Sequence, residues 1–79
     1  MALSREVRQA KLRTLVEAEG YLSLDDLLHA TITDSVSPAI CITVGCNYTC
    51  EMEPDQDRGW CEACGTNTVQ SALILAELI

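Results

Sequence analysis

At 79 residues the chain can hold one compact unit but not two independent cores. Twelve acidic residues against five basic ones give a net charge of −7, a surface that repels phosphate backbones and disfavours nucleic-acid partners. The sequence has no long apolar run and no cleavable hydrophobic leader, so no membrane span or secretory signal is expected and a cytoplasmic location is.

Residues 4–19 predict a helix, with Ser4 as its N-cap, good helix formers throughout and apolar Leu12, Leu15 and Val16 in its second half. It carries Arg5, Arg8, Lys11 and Arg13, which read as a solvated face. Gly20 ends it. Ser23 with Asp25 and Asp26 then opens a second helix bearing Leu24, Leu27 and Leu28, which completes a helical hairpin over residues 1–37. Thr31 to Pro38, rich in β-branched and turn residues, reads as a connector into a second segment, 38–79, and the two segments form one compact unit.

The second segment holds Cys41-x4-Cys46, fourteen intervening residues, and Cys61-x2-Cys64. That spacing lets four thiolates converge on one tetrahedral Zn²⁺, and iron also suits such a site. A disulfide scaffold fits less well, because it belongs to oxidising compartments and usually has an even cysteine count, whereas this chain has five. In Trp60-Cys61-Glu62-Ala63-Cys64-Gly65 the sulfurs lie on a tight turn whose glycine lets backbone amides face them.

For the first pair, Cys41, Cys46 and Cys50 compete for two places. Gly45 supplies a turn between Cys41 and Cys46, whereas Cys46 to Cys50 has no glycine, so Cys41 and Cys46 are preferred. Cys50 is then a small apolar residue, a spare thiol, a redox handle or a replacement ligand. His29, on a predicted helix before the connector, is a poorer ligand than the four sulfurs.

Between the cysteine pairs, residues 47–60 predict a β-hairpin that starts at Tyr48 and Thr49, turns at Pro54, Asp55 and Gly59, and ends at Trp60. Glu51, Glu53, Asp55 and Asp57 alternate along it, as on a solvated strand face; an oxygen-ligated second metal or a carboxylate pair is the lesser alternative. A calcium loop is excluded because Thr66 stands where its bidentate Glu belongs. After Gly65, Asn67 with Gln70 reads as the N-terminal cap of a helix running to Ile79. Val69, Ala72, Leu73, Ile74, Leu75, Ala76, Leu78 and Ile79 surround that helix, so it must be covered on more than one side, by the helical hairpin or by a partner, either a second copy in a homodimer or another protein.

The expected class is therefore α+β: an N-terminal helical hairpin, a zinc ribbon with a small β-hairpin, and a C-terminal helix. A closed all-cysteine site leaves no coordination position for substrate, and the sequence has no phosphate loop, nucleophile elbow or Ser/His/Asp set, so no enzyme is expected.

Ile40-Cys41, Gly45-Cys46-Asn47-Tyr48-Thr49, Glu53-Pro54-Asp55-Gln56 and Gly59-Trp60-Cys61-Glu62-Ala63-Cys64-Gly65-Thr66-Asn67-Thr68 resemble a family of small uncharacterised bacterial and phage zinc-ribbon-like proteins over Pro38 to Ile79. The resemblance implies Cys41, Cys46, Cys61 and Cys64 as ligands of one structural Zn²⁺, with a non-ligand at the position of Cys50, and implies no activity. Lys11 to Leu27 is also similar to the first two helices of winged-helix or helix-turn-helix regulators, but the place for a recognition helix after Thr33 holds Asp34 and Pro38 and no Lys or Arg.

The expected function is a noncatalytic, zinc-stabilised module that binds a protein partner through its acidic face or its apolar C-terminal helix. A small transcriptional regulator is the alternative. A redox or metal-responsive switch using Cys50 is a third.

Overall fold

The computed structural model describes residues 4–78. Helix α1 spans Arg5–Glu19, and the Ser4 hydroxyl accepts the Val7 N–H at its start. Gly20 closes it in the left-handed region, φ 78°, with its N–H on the last-turn carbonyls; an L side chain is strained in that conformation. Helix α2 spans Leu24–Ile32, and the Ser23 hydroxyl accepts the Asp26 N–H. The predicted helical pair thus forms where local capping chemistry places it.

Four strands follow: β1 Ser37–Cys41, β2 Thr49–Met52, β3 Gly59–Cys61 and β4 Thr66–Ser71, with a one-turn helix α3 over Ala72–Leu75. They form one antiparallel sheet in the order β2-β1-β4-β3. The α+β class is as expected, but the strand assignments correct the sequence reading in four places.

The expected connector Thr31–Pro38 is only partly a connector. Thr31 and Ile32 finish α2, while Ser37 and Pro38 open β1, every residue of which is buried. Pro38 is tolerated because the β4 ladder begins one residue later, at Ala39 opposite Ser71. The strands expected in the 47–60 segment exist, but β2 and β3 lie at opposite edges of the sheet and do not pair. Each takes its partner from outside the segment: β2 pairs with β1, and β3 forms a small hairpin with β4.

Gly59 is not part of a turn. It is the buried first residue of β3, where a Cβ would overlap the Met52 sulfur and stand 3.2 Å from the Val69 Cβ. Finally, the C-terminal helix is one turn long and its cap is Ser71, whose hydroxyl accepts the Ile74 N–H; Asn67 and Gln70 lie in β4. Thr66, Thr68 and Val69 favour strand, and partners on both sides satisfy the backbone of that segment without a helix. Ile79 lies outside the described residues.

Alternation along β1 divides the interior in two. Ile40 faces the helices and joins Leu12, Leu15 and Val16 of α1, Leu27 of α2, and Ala72 and Leu75 of α3. Ala39 and Cys41 point the other way, into the curl of the sheet with Met52, Cys61 and Val69. Burial of α3 therefore comes from α1, α2 and β1. Buried Ser37 joins the layers, since its hydroxyl accepts the Ala72 N–H. Of the expected solvated basic face of α1, Arg5 and Arg13 are exposed, Arg8 is half-buried, and Lys11 is the correction, at only 5% exposed.

Candidate metal centre

Two loops at one end of the sheet build the centre. Strands β1 and β3 both run antiparallel to β4, so their C-terminal residues, Cys41 and Cys61, arrive at the same end. Cys41 lies opposite Val69 and Cys61 opposite Thr66. Beyond Cys41 the chain turns through Gly45, φ 87°, and the Cys46 N–H donates to the Thr43 carbonyl, which brings the second sulfur back over the first strand. Beyond Cys61 the turn is tighter: the Gly65 N–H donates to the Cys61 carbonyl at 2.7 Å, with Gly65 at φ 70°. In that turn the Cys64 N–H points at the Cys61 sulfur, 3.3 Å away.

The sulfurs of Cys41, Cys46, Cys61 and Cys64 all lie within 4.8 Å of one another. Cys41 and Cys64 are 3.8 Å apart, and Cys46 and Cys61 are 3.7 Å apart. A disulfide needs about 2.05 Å, so these are not bonded pairs. A tetrahedral Zn²⁺ with bonds of about 2.3 Å places its sulfurs about 3.8 Å apart, the tetrahedral edge being about 1.63 bond lengths. The donor set and its spacing therefore fit a four-coordinate thiolate site for a metal ion.

Electrostatics within the cluster are uneven. Burial pushes the Cys41 thiol up, but hydrogen bonds from the Thr43 and Thr68 side chains and the Thr43 backbone outweigh it and hold the group at about 6. The Thr68 hydroxyl lies 3.1 Å from that sulfur and is itself 3.0 Å from the Thr66 hydroxyl. Cys64 is pushed up to about 12, first by its thiol contact with Cys46, then by burial and by Cys41 and Cys61. Burial raises Cys61 as well, in opposition to the N–H of Cys64. One thiolate is thus readily formed, while Cys61 and Cys64 retain protons that a metal must displace.

The other candidate residues stand apart. Cys50 lies on β2 opposite Ala39, half-buried and outside the cluster. Burial raises its thiol, helped by the charges of Cys61 and Glu62, which keeps it protonated and weakly nucleophilic. His29 is exposed on α2. Glu51, Glu53, Asp55 and Asp57 are exposed, and among the described residues only the four cysteines form a group close enough to share an ion.

The sequence reading missed three neighbours of the centre. Thr68 falls in the segment whose pattern predicts a helix, and Thr43 carries no signal of its own. Lys11 did carry one: it shares the stripe of Leu12, Leu15 and Val16, an unusual place for a solvated lysine. Its ammonium donates to the carbonyls of Thr43, at 2.7 Å, and Cys46. Arg8 is also engaged within the fold, with its guanidinium near the Ile74 and Leu75 carbonyls and 3.7 Å from the Glu77 carboxylate. No helix among the described residues is long and apolar enough to cross a membrane. Comparison with known proteins finds no matching family model, no curated relative and no matching solved structure.

Proposed function

We infer that the chain is a noncatalytic interaction module whose sheet is held by one structural Zn²⁺ on Cys41, Cys46, Cys61 and Cys64, in the manner of the zinc-ribbon-like proteins its second segment resembles. The observation that carries this reading is the convergence of four sulfurs from two separate loops to within 4.8 Å of one another, two of the pairs at 3.7 and 3.8 Å. Four thiolates fill the coordination sphere of zinc, so the ion has no position for a substrate and acts as a cross-link. The fold has use for one. The buried interior of the curled sheet is only Ala39, Cys41, Met52, Cys61 and Val69, with half-buried Cys46, Tyr48 and Cys50 packed against it, and structural zinc is worth about 10–16 kcal/mol of apparent binding free energy at neutral pH.

The surface offered to a protein partner is the acidic edge. Strand β2 has only β1 beside it, and exposed Glu51 on this strand with exposed Glu53, Asp55 and Asp57 on the segment after it give this part of the surface an acidic charge suited to a basic partner. The alternative surface on the C-terminal helix has less to give, because Ala72, Leu73 and Leu75 are already covered. A regulator that reads DNA through α1 draws little support, since Lys11 and Arg8 are committed to carbonyls within the fold. A thiol switch at Cys50 is likewise disfavoured by a raised pKa. A reducing cytoplasm is the compartment in which these thiols stay available to zinc.

Elemental analysis of protein purified under reducing conditions tests the centre, with one zinc per chain expected. A metal-free, reduced sample that keeps a dispersed, cooperative native spectrum refutes it. Glu53→Lys with Asp55→Lys tests the partner surface in pull-downs from the native host. An unchanged set of captured proteins rejects the acidic edge.

A further inference from the structure

Lys11 sits on the covered side of α1, and among the described residues no carboxylate comes within ion-pair distance of its ammonium. A buried ammonium without a counter-charge is expensive, and neutral carbonyls compensate it only in part. Both carbonyls that Lys11 reaches belong to one turn, and one of them is that of Cys46 itself. Four thiolates on a divalent ion carry a net charge of about −2. The charge that Lys11 lacks and the charge that the centre would have to disperse thus meet at the same turn.

We propose that Lys11 is a positioning residue for the metal centre: from α1 its ammonium fixes the Thr43–Cys46 turn and offsets the negative charge of the tetrathiolate, which makes metal affinity and the docking of α1 on the sheet mutually dependent. The coupling is reciprocal by linkage, so whatever Lys11 adds to metal binding, the bound metal returns to the seating of α1. This inference rests on the zinc reading above. It adds a residue from the N-terminal helical pair to a centre whose cysteines all lie after residue 40.

The test uses the full chain, with Zn²⁺ and Co²⁺ as probes. Lys11→Met keeps the apolar stem but removes the charge and donors, Lys11→Arg keeps the charge, and Arg13→Met removes the same charge from an exposed position on the same helix. Zinc affinity, read by competition with a chromophoric chelator, should fall about 10–100-fold in Lys11→Met, the range seen when groups supporting metal ligands are lost. It should stay within about threefold of the parent in Lys11→Arg and Arg13→Met, since exposed charges are screened at physiological salt. In the cobalt-loaded protein, the sulfur-to-cobalt charge-transfer band of Lys11→Met should move to lower energy, because losing a nearby cation raises the energy of the sulfur electrons. A purely packing role would leave that band in place.

Equal affinities and bands in Lys11→Met and Arg13→Met overturn the proposal while leaving the zinc centre standing. If Lys11→Met does not fold at any zinc concentration, Lys11→Arg decides: parental affinity and band position support the proposal, and a tenfold loss overturns it. A parent protein that takes up neither ion overturns the zinc reading and this inference with it.

Discussion

Replacing Cys61 by Ser removes a fully buried sulfur that stands 3.7 Å from Cys46 and accepts the Cys64 N–H at 3.3 Å. If about 10–16 kcal/mol of zinc binding is shared among four sulfurs, each contributes about 2.5–4 kcal/mol. A 79-residue domain has a total stability of about 4–12 kcal/mol, so this one change removes a large part of it. At about 4–8 °C per kcal/mol for a domain of this size, the melting temperature should fall by at least about 10 °C. Cys50→Ser is the internal comparison: its thiol is half-buried on an edge strand and outside the cluster, and the swap should cost about 1 kcal/mol or less. Circular-dichroism melts of parent and both variants, with reductant and one equivalent of zinc, measure the difference. Repeating them in excess chelator isolates the metal contribution, and there Cys61→Ser should lose its deficit relative to the parent. Equal melting of the two variants in zinc, or a Cys61→Ser deficit that persists undiminished in chelator, refutes the ligand assignment.

Zinc uptake should acidify weakly buffered solution near neutral pH, because Cys61 and Cys64 are raised and must each surrender a proton while Cys41, lowered to about 6, is already largely ionised. At least two protons released correspond to an apparent affinity that falls at least about a hundredfold per pH unit as pH drops, and more steeply below about 6 where Cys41 also protonates; a pH-independent affinity by chelator competition contradicts this. Gly59→Ala should destabilise by about 1–3 kcal/mol in denaturant titration, because its Cβ meets Met52 and Val69, and Met52→Ala in the same chain should recover part of the loss; strictly additive losses would show that the contact is not the cause. Ser71→Ala removes both the cap of α3 and a hydrogen bond from its hydroxyl to the Pro54 carbonyl, and should cost about 2 kcal/mol, against about 1 kcal/mol or less for the exposed cap in Ser4→Ala. Equal thermal shifts in these two variants would count against the Ser71 bridge.

Local chemistry in the sequence was sufficient for both ends of α1 and the start of α2, because a hydroxyl at Ser4 or Ser23 and a left-handed glycine at residue 20 satisfy orphan helix groups within four residues of themselves. The pairing of cysteines across two glycine-bearing turns was legible for the same reason, since each turn is a local event. Sheet membership was not. Residues 66–71 carry short apolar and β-branched stretches compatible with either period, and what makes them a strand is the ladder offered on one side by β1 and on the other by β3. Likewise Ser37 and Pro38 resemble a connector until β2 and β4 close around the strand they open.

The separation of β2 from β3 could not be read from the turn between them, because strand partners are chosen by which faces the sheet can bury together. Lys11 shows the same limit at the level of one side chain. Its sequence neighbours make it a helix residue, and only the arrival of the Thr43–Cys46 turn beside α1 determines whether its ammonium meets water or two carbonyls. Sequence alone determined the capped helices and the sulfur inventory, whose causes lie within a few residues. Tertiary structure decided strand partners, the fate of the C-terminal segment and the surroundings of the four-cysteine cluster, because each depends on groups brought together from distant parts of the chain.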